Sequence, residues 1–399
     1  MQPPPASLLD WIRLANIPGI GPVLVKRAVA ALGSPHSVLS ARPAQLALVE
    51  GIGQSKARAF ADVPPPEFAQ RELDRASQHG IQILSPDHPA WPPGLRTIPD
   101  PPIILYLRGK LLPRDSLALG IVGARNCTHY GREQSERFSA MLAGAGVCVI
   151  SGGARGIDTG AHEGALRAKG RTLVIQGCGL LSCYPPENKP LQDRIVDTNS
   201  GAILSELPLD AAPLPENFPP RNRIIAGMSL GILVIEANLK SGSLITARLA
   251  AGDYAREVFA LPGRVDSPAS SGTHHLIKTG QARLVESLQD ILDGLGDIGT
   301  VLAKLDQPQT PPPPAARAQE HAAELLFAPE PVPEPPKVVW TSVQQKILAA
   351  FGEKPVTIDD LCEKTSLPTS VLMAELTMLQ IRGAIGRTSG NRFFKSPPP

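Results

Sequence analysis

Between residues 118 and 286 the chain alternates short, mainly apolar runs with longer amphipathic stretches. The runs fall near Ala118–Val122, Val147–Ile150, Thr172–Gln176, Ala202–Ser205, Gly231–Glu236, Glu257–Leu261 and Arg283–Glu286. They are rich in Val, Ile and Leu and too short to be helices. Strands that are apolar on both faces and separated by helical patterns predict a parallel sheet covered on each side. Its crossovers should be right-handed, and ligands should bind beyond the carboxyl ends of its strands.

The pattern changes on both flanks. Residues 1–80 are helical in periodicity and contain a repeat. Ile17-Pro18-Gly19-Ile20-Gly21 precedes one helical stretch, and Val49-Glu50-Gly51-Ile52-Gly53 precedes another. A tight apolar-Gly-x-Gly turn between helices, used twice, reads as tandem helix-hairpin-helix motifs. Such turns bring backbone N–H groups and a helix N-terminus close to a phosphate. They are also simply a structural four-helix module. Residues 81–116 are proline-rich and lead into the sheet. Ten prolines fall between 307 and 336, so 295–338 reads as an extended linker. Three helices and a hairpin in 339–399 resemble a winged helix. Its third helix, Thr369 to Gln380, carries Glu375 and no Arg or Lys, which favours contact with protein over reading of a duplex. The expected boundaries are therefore 1–80, 81–294, 295–338 and 339–399.

Bulk composition narrows the picture only a little. The 399 residues carry a net charge of +2, so any nucleic-acid surface must come from local clustering. Aromatic content of 4% argues against a platform of many stacked rings. The five cysteines form neither a C-x-x-C pair nor a zinc spacing, as in a reducing cytoplasm. No signal peptide or membrane-spanning run is evident, and a cytoplasmic protein is expected.

The candidate chemistry stands at the predicted strand ends. There lie Gly123-Ala124-Arg125, Ser151-Gly152-Gly153-Ala154-Arg155-Gly156, Gly177-Cys178-Gly179, Arg221-Asn222-Arg223, Lys240-Ser241-Gly242-Ser243 and Pro262-Gly263-Arg264. Glycine permits close backbone approach, and arginine offers a planar fork suited to phosphate or guanine. The 151–158 stretch, a glycine-rich turn between strand and helix, predicts free N–H groups pointing at an anion. It matches neither the dinucleotide fingerprint G-x-G-x-x-G nor the P-loop G-x-x-x-x-G-K-[ST]. Asp158 and His162, four apart, admit a metal reading, but a helix cap and an ordinary helix residue account for them as well. No metal or cofactor is expected.

These strings together resemble the DNA-processing protein A family, also called DprA or Smf. The resemblance rests on Ile121 through Arg125, Ser151 through Asp158, Tyr184-Pro185, Phe218 through Ile225, Val234 through Ala237, Ser241 through Ala247 and Val258 through Gly263. Gly153 stands where the family usually has leucine, and Trp91-Pro92 where tyrosine-proline is usual. The resemblance implies an extended Rossmann-like α/β sheet between a helix-hairpin-helix (SAM-like) domain and a winged-helix domain. It implies a non-enzymatic role: binding and protecting single-stranded DNA, dimerising, and loading the recombinase RecA during natural transformation. Carried onto this chain, Arg125, Arg155, Arg221 and Arg223 would contact phosphates or bases. Gly152, Gly156, Ser241 and Ser243 would add amide and hydroxyl donors, with Asn222 and Gly242 in the same strings and Lys169 as a further cation. Two alternatives stay open. A phosphoribohydrolase-like enzyme would need P-G-G-x-G-T-x-x-E, and Pro262-Gly263-Arg264 lacks its glutamate. A duplex-binding factor would use 339–399.

Overall fold

The computed structural model describes residues 6–296, 341–352 and parts of 356–395. It forms two compact units, Met1–Gly296 and Asp297–Pro399.

The first unit opens with helices α1 (Ala6–Ala15), α2 (Pro22–Leu32), α3 (Pro35–Ser40), α4 (Pro43–Leu46), α5 (Gln54–Ala59) and α6 (Pro66–Gln78). Prolines begin several of them, at a position where a missing N–H costs nothing. The repeated turns join α1 to α2 and α4 to α5. Equivalent glycines, Gly19 and Gly51, take φ of +73° and +81°, a conformation that a side chain would strain. The repeat is thus one hairpin geometry built twice.

The sheet comprises β1 (Ile81–Leu84), β2 (Leu105–Gly109), β3 (Ala118–Val122), β4 (Cys148–Ser151), β5 (Thr172–Ile175), β6 (Gly201–Ser205), β7 (Gly231–Val234), β8 (Glu257–Ala260) and β9 (Arg283–Leu284). Their order is β1-β2-β6-β5-β4-β3-β7-β8-β9. From β3 to β9 all neighbours are parallel, as the apolar runs predict. Strands β1 and β2 are a departure from the sequence reading, which placed no strand in 81–116. There β2 runs antiparallel to β6, with Tyr106 opposite Ser205, and β1 runs antiparallel to β2. Prolines lie on both sides of β2 and beyond the end of β1, outside the paired residues, where they cost no ladder hydrogen bond.

Helices α7 (Pro93–Thr97), α8 (His129–Gly144), α9 (Ile157–Arg167), α10 (Lys189–Asp197), α11 (Phe218–Met228), α12 (Ser243–Arg248), α13 (Ser271–Lys278) and α14 (Leu288–Gly294) complete the unit. One buried cluster joins Trp91, Leu105, Ile150, Leu204, Ile225 and Val234. A second joins Trp11, Val25 and Ala76 of the helical module to Tyr106, Val174 and Ile203 of the sheet. The module is also pinned by polar contacts: Tyr106 Oη donates to Glu72 at 3.0 Å, and Trp11 Nε1 donates to Asp87 at 2.8 Å. The change of pattern near residue 80 is therefore not a gap in the packing.

The order of the strands fixes where a ligand can sit. From β3 the chain steps outward through β4, β5 and β6, then returns to the other flank of β3 for β7, β8 and β9. The loops after β3 and β7 depart in opposite directions. Between them opens the crevice where open parallel sheets bind ligands.

In the second unit, α15 (Ser342–Ala350) and α16 (Ile358–Thr365) pack with a hairpin of β10 (Ile385–Thr388) and β11 (Arg392–Lys395). Ile347, Leu361, Leu376, Ile385 and Phe393 form its core. Thr341 caps α15 by accepting from Gln344 N. The third helix, expected from Thr369 to Ile381, is helical where described, and Gln344 Nε2 donates to Glu375 at 2.9 Å. Its other residues, and the proline-rich stretch beyond Gly296, lie outside the described residues. The whole is an extended α/β sheet domain flanked by a helix-hairpin-helix module and a winged helix.

Candidate nucleic-acid interface

The crevice is a cleft of about 550 Å³. Its lining comes from the segment after β3 (Gly123 to Asn126), the start of α9 (Ala154, Asp158), Tyr184, the entry to α11 (Phe218 to Asn222) and the segment after β7 (Asn238 to Thr246). These are the converging strand-end loops that the sequence pattern places together.

At its centre the half-buried Phe218 ring is flanked by charge. The Arg125 guanidinium lies over the ring at 5.0 Å and that of Arg221 at 5.9 Å. Tyr184 packs against the ring at 5.4 Å between centroids. A cation over an aromatic face is favourable, more so as water is excluded. Arg125 and Lys240 are exposed, and neither forms an ion pair among the described residues. The Ser241 and Ser243 hydroxyls bond each other at 2.8 Å, with Gly242 exposed between them at the start of α12. Asn222 joins the same wall. Phe218, Tyr184 and Asn126 are lining residues that the sequence reading did not single out as site residues, and Lys240 stood in a strand-end string without being assigned a contact. Phe218 and Tyr184 do fall inside the strings that carried the resemblance, but a lone aromatic does not announce that it faces a cleft.

Arg221 has a different role from Arg125. It is only 5% exposed. Its Nη1 donates to Gly152 O at 2.6 Å and also to Ile175 O, tying α11 to the ends of β4 and β5. Burial pulls its pKa down to about 10, with Asp158 opposing, so it stays cationic at neutral pH. Its Nε has no partner among the described residues. Arg221 is a strut that carries charge into the floor of the cleft. Gly152 is required beneath it, because a Cβ there would overlap the guanidinium.

The 151–158 turn corrects an expectation. Two of its amides are engaged within the chain and do not face an anion. Ala154 N donates to Asp158 Oδ2 at 3.1 Å, and Ile157 N donates to Ala124 O at 3.2 Å. Gly156 allows this second contact, since a Cβ would run into the Ala124 and Arg125 carbonyls. Asn188 Nδ2 holds the turn from outside, donating to Gly153 O at 2.9 Å. The helix N-terminus that would attract a phosphate is thus taken by the chain's own carboxylate. Burial raises the Asp158 pKa, and Arg221 counters it.

Besides Gly152 and Gly156, three expected contacts lie away from the cleft lining. Arg155 is half exposed at the turn and pairs with Glu187, whose carboxyl that hydrogen bond pulls down. Arg223, two residues beyond Arg221, is buried; it pairs with Glu206 and lies 3.9 Å from Asp100. Two positions along a helix turn a side chain to a different face, so Arg223 braces α11 from behind. Lys169 follows the C-terminal end of α9, whose N-terminus meets the cleft, so it sits at the far end of that helix. His162 is fully buried, bonded through Nδ1 to Thr172 Oγ1 at 2.7 Å, and burial lowers its pKa to about 3. Among the described residues no group of three or more His, Cys, Asp or Glu gathers as a metal site. No described helix is long and apolar enough to cross a membrane.

Comparison with known proteins agrees with this architecture. The family model described as DNA recombination-mediator protein A matches residues 82–296. The DprA winged helix domain matches 307–391, and the SAM-like helix-hairpin-helix tandem matches 12–59. Protein Smf of Synechocystis sp. is 35% identical over 96% of this chain and 97% of its own length. Protein Smf of Escherichia coli is 34% identical over 85% of this chain and 84% of its own. The X-ray structure of DNA processing protein A (DprA) from Streptococcus pneumoniae superposes with a TM-score of 0.61 at 31% identity, covering 71% of this chain and 95% of that one. A match across the whole sheet domain, joined to near full-length likeness to the Synechocystis protein, makes this chain a member of the DNA recombination-mediator protein A (DprA/Smf) family.

Proposed function

We propose that this protein holds single-stranded DNA in the cleft at the β3/β7 ends, without breaking a bond there. The observation that carries the reading is the half-buried Phe218 ring flanked by the Arg125 and Arg221 guanidinium groups. A ring recessed between loops can stack on an unpaired base, whereas a base within a duplex keeps its faces covered. Arg125 and Lys240 supply phosphate-binding charge on opposite walls, with Asn222 and the Ser241-Gly242-Ser243 turn as neutral donors. Gly152, Gly156 and Arg221 shape the floor, and Arg155 extends the track at the rim. The carboxylate that lines the cleft, Asp158, is engaged by the Ala154 amide and faces Arg221, which suits a structural anion better than a catalytic base.

Membership of a recombination-mediator family supports the wider role. In this reading the protein works as a homodimer in the cytoplasm, protects incoming single strands and loads the RecA recombinase onto them during natural transformation. Replacing Arg125 and Lys240 together by alanine should weaken binding of a fluorescent oligothymidine at least tenfold. It should also flatten the fall of affinity with salt by about 1.4 in log–log slope, at roughly 0.7 for each phosphate of a single strand that is no longer neutralised. Unchanged affinity and slope would overturn this placement of the strand.

A further inference from the structure

We propose that Glu236 is a positioning residue that holds Arg125 ready for the strand; the inference rests on the cleft being the DNA site. Glu236 follows β7 and is 2% exposed. Its carboxylate accepts from Thr128 N through Oε2 and from Thr128 Oγ1 through Oε1, both at 2.7 Å. Its main-chain carbonyl accepts from Ala124 N, also at 2.7 Å. One residue therefore grips both ends of the Ala124–Thr128 segment, and Arg125, Asn126 and Cys127 span the interval between the grips.

Three further observations fit a fixed clamp. Thr128 is also the N-cap of the 16-residue α8, accepting from Gly131 N at 3.1 Å. The Glu236 charge thus lies at the positive end of a long helix and is offset there without a cation. Gly131 leaves room for it, since a Cβ at that position would overlap the carboxylate. Glu236 itself does not line the cleft, so it acts on a bound strand only through the loop. Hydrogen bonds to an ionised carboxylate are short and directional. Both oxygens are used here, one by an amide N–H that cannot turn away.

An isosteric amide tests this. Gln at 236 keeps one acceptor oxygen and replaces the other by a donor, so it cannot accept both bonds from Thr128. Glu236→Gln, Arg125→Ala and the double variant would be compared by oligothymidine anisotropy across a salt series, with thermal melts as controls. Glu236→Gln should weaken binding about threefold to tenfold and reduce the salt slope by about 0.7, the same reduction as for Arg125→Ala. The double variant should be no weaker than Arg125→Ala alone, because both changes act on the same phosphate. A general weakening of the fold would lower the melting temperature and leave the slope in place. If Glu236→Gln does not fold, Thr128→Val, which deletes the hydroxyl grip together with the α8 cap bond and keeps the Thr128 N–H grip, carries the same expectation for the slope at smaller amplitude. If Arg125→Ala weakens binding while Glu236→Gln keeps the parental slope, or the two effects add in full, the positioning role is overturned. If Arg125→Ala itself binds like the parent, the strand-site reading fails and this one with it.

Discussion

Arg125 and Arg221 both flank Phe218, yet their substitution should have opposite signatures. Arg221→Ala removes donors to the buried Gly152 and Ile175 carbonyls and leaves Asp158 without its nearby cation. Hydrogen bonds from a charged group contribute about 1.5–3 kcal/mol each, and carbonyls left buried without a partner add to the loss. These terms overlap, so a net loss of about 3–5 kcal/mol is expected. For a unit of this size that lowers the melting temperature by roughly 5–10 °C. Arg125 is exposed and forms no ion pair among the described residues. Arg125→Ala should therefore melt within a degree or two of the parent, as surface changes of about 0.5 kcal/mol do. Its effect should fall on DNA, through one phosphate left without its cation. Melting followed by circular dichroism, paired with anisotropy of the same samples, separates the two. An Arg221→Ala protein that melts like the parent would refute the strut, and an Arg125→Ala protein that melts as early as expected for Arg221→Ala would refute the division of labour.

Two other outcomes follow from the charges around the cleft. Glu187→Gln breaks the surface pair with Arg155 and should raise affinity for single strands about twofold, the scale of an exposed ion pair; no change, together with no loss in Arg155→Ala, would place Arg155 off the strand's path. His162 is neutral when folded because burial lowers its pKa to about 3, whereas the unfolded chain takes up the proton near 6.5. Its contribution to stability is fully present above pH ~6.5 and is lost as pH falls toward ~3, at up to about 1.4 kcal/mol per unit. Between pH ~7 and ~5 the parent should lose about 2 kcal/mol more than His162→Leu in urea unfolding, and equal losses would contradict the burial argument.

The sheet was legible because burial on both faces leaves an apolar run that names its own element; β3 to β8 all lie in such runs. Strands β1 and β2 were not, since β2 is held by pairing with distant β6 and β1 only by pairing with β2, in a proline-rich stretch that reads as loop. The cleft's location followed from strand order, and Arg125, Asn222 and the Ser241–Ser243 turn were found by standing at strand ends. That Arg223 lies outside the cleft lining was not legible, because its partners, Glu206 and Asp100, come from other parts of the chain. The place of Lys169 at the far end of α9 was not legible either, because charge alone does not say which end of a helix faces a ligand. The 151–158 turn had the right composition for an anion seat, but Asp158, one turn further on, fills it.

Length becomes the basis of discrimination when Asp158 is seated at the start of α9. A free nucleotide has one or a few phosphates clustered at one end, and its best docking point in such a fold already holds a negative charge. It is left with single weak contacts to Arg125, Lys240 or the Ser241–Ser243 turn. A polymer gains what the mononucleotide lacks, because once one phosphate is held the next arrives at high effective concentration. On the proposed reading, a fold that gives up its single strong seat would ignore abundant small phosphates and still retain a thread of DNA.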